Sequence, residues 1–158
     1  KYGTNFLVYF DEETGQMMDT FIEEKWRDDA EKAIQPYINE KLGESLTLKD
    51  REPIIDSNDW DEIEAFMKGK VEINVLFDDR IGKEFDVDPN NPVSYAELGA
   101  SPDIIIITIP RKKQANEDAI FNEIIQSIQG EGIVHGNIRF EYIDLGVPLE
   151  EEPWERSF

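Results

Sequence analysis

Residues 86–97 of this sequence combine oxygen-bearing side chains at a spacing that could bind a divalent cation. The segment reads DVDPNNPVSYAE, with carboxylate, amide or hydroxyl oxygens at its first, third, fifth, ninth and twelfth positions. Calcium prefers six to eight hard oxygen ligands, and these side chains together with the Pro92 carbonyl could provide them. The candidate metal ligands are Asp86, Asp88, Asn90, Ser94 and Glu97.

This spacing resembles the calcium loop of the EF-hand family, and the resemblance implies Ca²⁺ as a cofactor. Two features depart from the family: Asn91 stands where the sharp turn normally requires glycine, and residues 71–77 upstream have the pattern of a strand instead of a helix. The same residues also fit a type I turn at 88–91 followed by a capping box from Ser94 to Glu97. The sequence therefore leaves two alternatives, a calcium site and a structural turn with no cofactor.

The one basic cluster of the chain is Arg111, Lys112 and Lys113, which lies between a predicted strand and a helix predicted to begin at Asn116. The junction between a strand end and a helix start is where open α/β sheets bind anions. The cluster has no glycine that would let backbone amides surround a phosphate. We expect it to bind a small anion or to form salt contacts, either within the subunit or with a neighbouring copy.

Residue types needed for common enzymatic chemistry are scarce. The chain has no cysteine and a single histidine, His135, which excludes thiolate catalysis, cysteine-ligated zinc and centres with two histidine ligands. No phosphate-binding glycine loop or serine-hydrolase motif occurs. The sequence predicts no catalytic residue, and we expect a protein that is not an enzyme.

The last stretch, residues 146–158 (GVPLEEEPWERSF), differs from the rest in composition. It has two prolines and a run of glutamates, and it adds two large apolar side chains, Trp154 and Phe158. Aromatic anchors on an extended segment suit docking into a groove of a partner or strand addition to a neighbouring sheet. The alternative is a tail that folds back on its own domain. We predict a single acidic domain over residues 1–145 and an extended acidic C-terminal arm over residues 146–158.

Strand and helix patterns fill the remaining sequence. Apolar runs and alternation predict strands at 4–10, 71–77, 102–110 and 138–143, with 45–49 as a further short candidate. Spacing by three and four predicts helices at 17–42, from the cluster at 56–59 up to Gly69, and from Asn116 to Gly130. Pro36 is expected to kink or split the first helix. The continuous apolar run at 104–107 predicts a central strand covered on both faces.

This order of elements predicts an α/β or α+β fold: a single mixed sheet of four to five strands covered by about three helices. A chain of 158 residues fits one domain with a core of ordinary size.

Charge gives the strongest constraint on partners. Asp and Glu number 36 against 16 Lys and Arg, so the formal net charge is −20. Such a surface repels nucleic acids and anionic membranes, and we expect neither to be bound directly. No apolar run reaches the roughly 18 residues of a membrane span, and the first residues lack the apolar core of a signal peptide. We expect protein partners, either copies of the chain or a basic surface, in the cytoplasm or in a virion.

Three functions from different classes remain as hypotheses. The favoured one is a non-enzymatic assembly subunit, such as a ring subunit of a viral tail or neck, that forms a homo-oligomer or larger complex through its C-terminal arm. An acidic lumen would let DNA pass without adhering. The second hypothesis is an acidic inhibitor or nucleic-acid mimic that binds a basic partner. The third is a calcium-binding module around residues 86–97.

Overall fold

The computed structural model describes residues 8–11, 16–19, 21–78, 80–88, 90, 91 and 93–158, and it confirms the mixed helix and strand composition. Strands β1 (Val8–Asp11) and β2 (Gln16–Asp19) form a separate antiparallel hairpin. The other described strands form one mixed sheet of six, slightly more than predicted. The predicted strand at 4–10 overlaps β1, and its residues 4–7 lie outside the described residues.

The main sheet has the order β3-β4-β5-β6, and two short strands lie beyond β6. These strands are β3 (Ser45–Leu46), β4 (Val71–Leu76), β5 (Ile104–Ile109), β6 (Asn137–Asp144), β7 (Val147–Pro148) and β8 (Trp154–Ser157). Strand β5 is antiparallel to β4 and parallel to β6. Both β7 and β8 pair antiparallel with β6, at opposite ends of that strand. The prediction of β5 as a central strand is therefore confirmed.

One face of the sheet, here called the packed face, carries the core. Helices α1 (Phe21–Lys41) and α6 (Glu117–Gly130) contribute its cover, and α1 contacts both β4 and α6. Two one-turn helices, α4 (Ile81–Glu84) and α5 (Tyr95–Leu98), lie between β4 and β5 in the chain. The aromatic rings of Phe121 and Phe140 stack at a centroid distance of 3.8 Å. Side chains that are fully buried in this core include Trp26, Ile34, Ile38, Ile73, Ile105, Ile107, Phe121, Ile124, Ile128 and Phe140.

The opposite face, here called the open face, is less apolar and less covered. The register places Glu72, Asn74 and Leu76 of β4 beside Thr108, Ile106 and Ile104 of β5. Ile104 and Ile106 are only partly buried, and Leu76 is 46% exposed. Strand β5 is thus covered on both faces as predicted, but the cover over Ile104 and Ile106 on the open face is only partial.

Helix α1 differs from its prediction in its start and in the effect of Pro36. The predicted start at residue 17 is wrong, since residues 16–19 form β2 and the helix begins at Phe21. Pro36 does not split the helix, which is continuous to Lys41. Both Pro36 and Lys32 are exposed, so the Lys32 carbonyl that loses its intrahelical donor lies on the solvent side.

Two helices lie on the side of the open face, and the sequence patterns predicted only one of them. The candidate strand at 45–49 is shorter than expected, because the chain turns at Thr47 into α2 (Leu48–Ile55). Thr47 and Asp50 form a reciprocal capping box at this start. Helix α3 (Trp60–Met67) begins after its N-cap Asp59, as the sequence predicts. Helix α2 packs against β3 and β4, and α3 packs against α2.

The C-terminal residues 146–158 contribute two strands, β7 and β8, to the main sheet instead of extending away from it. Strand β8 pairs with β6 from Asn137 to Phe140, and Gly136 exchanges both backbone hydrogen bonds with Phe158 at 3.0 and 2.9 Å. A Cβ atom at Gly136 would lie 3.2 Å from the Phe158 ring, so the missing side chain permits this close approach. The structure thus shows the tail folded back on its own domain.

Candidate functional site

The five candidate metal ligands lie on a turn and on the start of a short helix. The Asp88 carboxylate accepts the Asn90 N–H at 2.9 Å, and the Asn91 N–H bonds the Asp88 carbonyl at 3.1 Å. Ser94 caps helix α5 (Tyr95–Leu98) by accepting the Glu97 N–H at 3.2 Å. Within the described residues no three His, Asp or Glu side chains converge to hold a metal ion. Asp86 and Glu97 are exposed, and the geometry fits the structural alternative.

The basic cluster at 111–113 is paired with carboxylates of the helix that follows it. A guanidinium nitrogen of Arg111 lies 2.7 Å from Oε1 of Glu117, a residue that is 1% exposed. The Lys113 ammonium lies 2.7 Å from Oδ1 of Asp118. The second Glu117 oxygen accepts the Gln114 N–H at 2.5 Å. The first turn of α6 therefore pairs two of the three basic side chains, Arg111 and Lys113, and its carboxylates repel a free anion, whereas the Lys112 side chain is exposed. The arrangement matches the expected salt contacts within the subunit.

Asn116 occupies the predicted N-cap position of α6 but does not cap the helix with its side chain. Asn116 has a left-handed backbone with φ of 65° and makes no side-chain capping bond. Glu117 bonds the preceding loop instead. Near it, burial raises the pKa of the Tyr142 phenol, and the Glu117 charge raises it further. The Tyr142 hydroxyl is buried and has no hydrogen-bond partner among the described residues.

The two aromatic anchors of the C-terminal tail lie on their own domain. The Trp154 ring packs against Phe121 at 5.3 Å and Phe140 at 5.6 Å between centroids. The Arg156 guanidinium lies over the same ring at 4.6 Å. Phe158 packs against the core and is partly buried. The rings predicted to dock on a partner therefore cover the end of the packed face of their own sheet.

A buried polar cluster that sequence reasoning missed joins α1, α2 and β4. Glu31 is fully buried, and its two carboxylate oxygens accept the Leu48 N–H at 2.7 Å and the Val75 N–H at 2.9 Å. Arg51 donates to the Ile73 carbonyl at 2.9 Å and pairs with Glu72 at 3.0 Å. Burial raises the Glu31 pKa to about 7, against the lowering effect of these hydrogen bonds.

The position of this cluster explains its composition. Strand β3 pairs with only two residues of β4, Val71 and Glu72, before the chain turns into α2. The next backbone groups on that margin of β4 therefore have no partner among the described strands. Glu31 and Arg51 replace the absent strand by bonding the Val75 N–H and the Ile73 carbonyl. The cluster is structural, since each polar group satisfies a backbone group or another side chain.

The surface formed by the end of α2, the turn after it and α3 carries only acidic charges. Residues 52–67, here called the acidic segment, contain six carboxylates and neither lysine nor arginine. None of the six forms an ion pair within the described part of the chain. Two large apolar side chains are exposed among them, Ile55 at 52% and Trp60 at 57%. The six carboxylates belong to Glu52, Asp56, Asp59, Asp61, Glu62 and Glu64.

A cleft separates α3 from the open face of the sheet. Its volume is about 310 Å³. Trp60, Ile63 and Met67 form the helical wall, and the sheet side includes Thr108 and Ile143. No residue of α3 is buried, although Ile63, Phe66 and Met67 lie on its apolar side. The helix therefore leaves apolar surface without a partner, which a core helix does not do.

No family model, curated protein or solved structure matches this chain. Among the described helices, none combines the length and the apolar composition needed to span a bilayer. The features that bear on its function are consequently the geometry and charge of its own surfaces.

Proposed function

We propose that this domain is a non-enzymatic binding module that recognises a basic protein surface, as an acidic inhibitor or nucleic-acid mimic does. The observation that supports this function best is the acidic segment, residues 52–67, where six carboxylates lack basic partners in the described structure. Carboxylates without local counter-ions attract a basic surface and repel nucleic acid.

The distribution of the basic residues strengthens this proposal. Arg51, Arg111 and Arg139 form ion pairs within the domain, and so does Lys113. Basic groups that are neutralised internally offer little attraction to an acidic ligand. The excess of acidic over basic residues, which gives the chain its net charge of −20, is therefore exposed to solvent mainly as negatively charged surface.

The assembly-subunit hypothesis ranks second because the residues predicted to contact a neighbouring copy contact their own domain. Trp154 and Phe158 cover the packed face of their own sheet, and β8 already pairs with β6. Two copies that each carry a charge of −20 also repel one another unless their contact excludes the acidic surfaces.

Binding of a fluorescent twelve-residue oligolysine probe tests the proposed function. The test variant neutralises four carboxylates of the acidic segment: Asp59→Asn, Asp61→Asn, Glu62→Gln and Glu64→Gln. The control variant neutralises four exposed carboxylates elsewhere: Glu40→Gln, Glu44→Gln, Glu150→Gln and Glu152→Gln. Both variants lose four negative charges, and Asn at 59 keeps a capping side chain for α3.

We expect the test variant to lose about tenfold in affinity and the control about twofold, since individual exposed charge pairs contribute up to roughly 1 kcal/mol. Affinity of the unmodified domain should fall as salt rises and screening increases. An equal loss in both variants, or an affinity that does not change with salt, would contradict the assignment of binding to the acidic segment.

A further inference from the structure

We infer that the cleft between α3 and the open face receives an apolar side chain from a basic segment of the partner. This inference rests on the proposed function and specifies its site and the chemistry of its ligand. The occupant is a Lys- or Arg-rich peptide segment that presents one aliphatic or aromatic residue to the cleft.

The shape and lining of the cleft favour a single apolar side chain. Its volume of about 310 Å³ exceeds what one leucine occupies, and its helical wall consists of Trp60, Ile63 and Met67. Pro110 and Ile143 add apolar surface from the sheet. Insertion of an aliphatic group would remove apolar surface from water on both sides of the contact.

The carboxylates at the start of α3, beside this cleft, favour a basic ligand. Trp60 lies between Asp59 and Asp61 in the first turn of α3, and Glu62 follows them. The cleft itself is lined by one lysine and one glutamate, Lys70 and Glu72, and the Lys70 ammonium lies over the Phe66 ring at 5.0 Å. A ligand that places lysines or arginines beside the first turn of α3 and an apolar group in the cleft would match both features.

The same charges argue against a second copy of this chain as the occupant. Two acidic segments brought together would oppose six carboxylates with six others, on molecules that each carry a charge of −20. Like charges at such short range destabilise a contact. A basic segment removes this repulsion and leaves the apolar contact available.

Two labelled peptides test the inference. The first contains eleven lysine and arginine residues around one central leucine, and the second has alanine in place of that leucine. Trp60→Ala removes part of the helical wall, and Ile55→Ala is the matched control. Ile55 is also an exposed apolar residue of the acidic segment, at 52%, but it does not line the cleft.

We expect the leucine peptide to bind the unmodified domain about tenfold more tightly than the alanine peptide, as partial burial of a leucine side chain implies. Trp60→Ala should reduce this preference to about twofold, and Ile55→Ala should preserve it. In backbone NMR spectra, the leucine peptide should shift the amide of Gly146, on the sheet side of the cleft, more than the alanine peptide does. This measurement needs no variant, so it holds even if a substitution disturbs folding.

Equal, salt-dependent binding of both peptides, weakened by neutralising the acidic segment, would overturn the cleft inference and leave the proposed function intact. Absence of binding by either peptide would overturn both. A dimer in sedimentation experiments that Trp60→Ala dissociates would identify a second copy as the occupant, and would also overturn the inference.

Discussion

The packed and open faces of the same sheet differ in what holds their helices in place. On the packed face, α1 and α6 bury isoleucine and aromatic side chains, including Trp26 and Phe121 at 0% exposure. On the open face, α2 buries only Arg51 and Ile54 and is capped by Thr47, and α3 has no buried residue. Amphipathic spacing is present on both sides. The difference shows that such spacing identifies a helix but does not determine how much of it is buried.

The largest expected effect is the loss of stability when a buried aromatic residue of the packed face is truncated, compared with an exposed one on the open face. Phe121→Ala removes a fully buried ring that stacks on Phe140 and contacts Trp154, so it should lower the free energy of unfolding by about 3–5 kcal/mol. Trp60→Ala removes a larger ring that is 57% exposed, and it should change stability by less than about 0.5 kcal/mol. Urea denaturation of both variants measures the contrast. Similar losses would mean that α3 is held by burial after all.

The second-largest effect concerns Glu31, the buried carboxylate of α1 that bonds the start of α2 and strand β4. Because the Glu31 pKa is about 7 in the folded protein and 4.5 ordinarily, the folded state binds a proton that the unfolded chain releases between these pH values. The contribution of Glu31 to the free energy of unfolding should therefore fall as pH rises from about 4.5 to about 7, by on the order of 3 kcal/mol. Above pH 7 it should become constant.

Comparison with Glu31→Gln isolates this titration from that of the other carboxylates. The stability difference between the unmodified protein and the variant, measured by denaturation across this pH window, should decline with rising pH. A difference that is flat, or that increases with pH, would show that the hydrogen bonds from Leu48 and Val75 outweigh the burial of the charge.

The smallest effect tests whether polar contacts hold α2. Thr47→Ala removes the hydroxyl that accepts the Asp50 N–H at 3.1 Å and should cost about 1 kcal/mol. Thr47→Ser keeps the hydroxyl and should recover most of that loss. Thermal unfolding distinguishes the two variants. If serine were no better than alanine, packing by the threonine methyl group would account for the effect.

The sequence predicted the elements that bury a regular apolar face. Strands β4 and β6 alternate and helix α6 has three-and-four spacing because one side of each contacts the core, and β5 was predicted from its continuous apolar run. Helix α2 was missed because its sequence, LKDREPII, contains Arg51 and Pro53 and has little amphipathic pattern. Its stabilising partners, Glu31 and Asn74, are distant in the chain.

The candidate site was predictable only in part. The sequence predicts α3 and its apolar residues Trp60, Ile63, Phe66 and Met67, but their exposure depends on α3 packing against α2 instead of the sheet. Tertiary packing of that kind leaves no periodic signal. The spacing from Asp86 to Glu97 suggested a metal loop, whereas the Asp88 and Ser94 side chains bond nearby backbone N–H groups.

The replacement of a strand by Glu31 and Arg51 also affects how this sheet can meet other chains. An exposed strand margin with unpaired N–H and carbonyl groups is a template for edge-to-edge aggregation. At the β4 margin, buried side chains already bond the Val75 N–H and the Ile73 carbonyl. An incoming strand would have to displace a buried carboxylate and a guanidinium, so this margin of the sheet is protected from intermolecular strand addition.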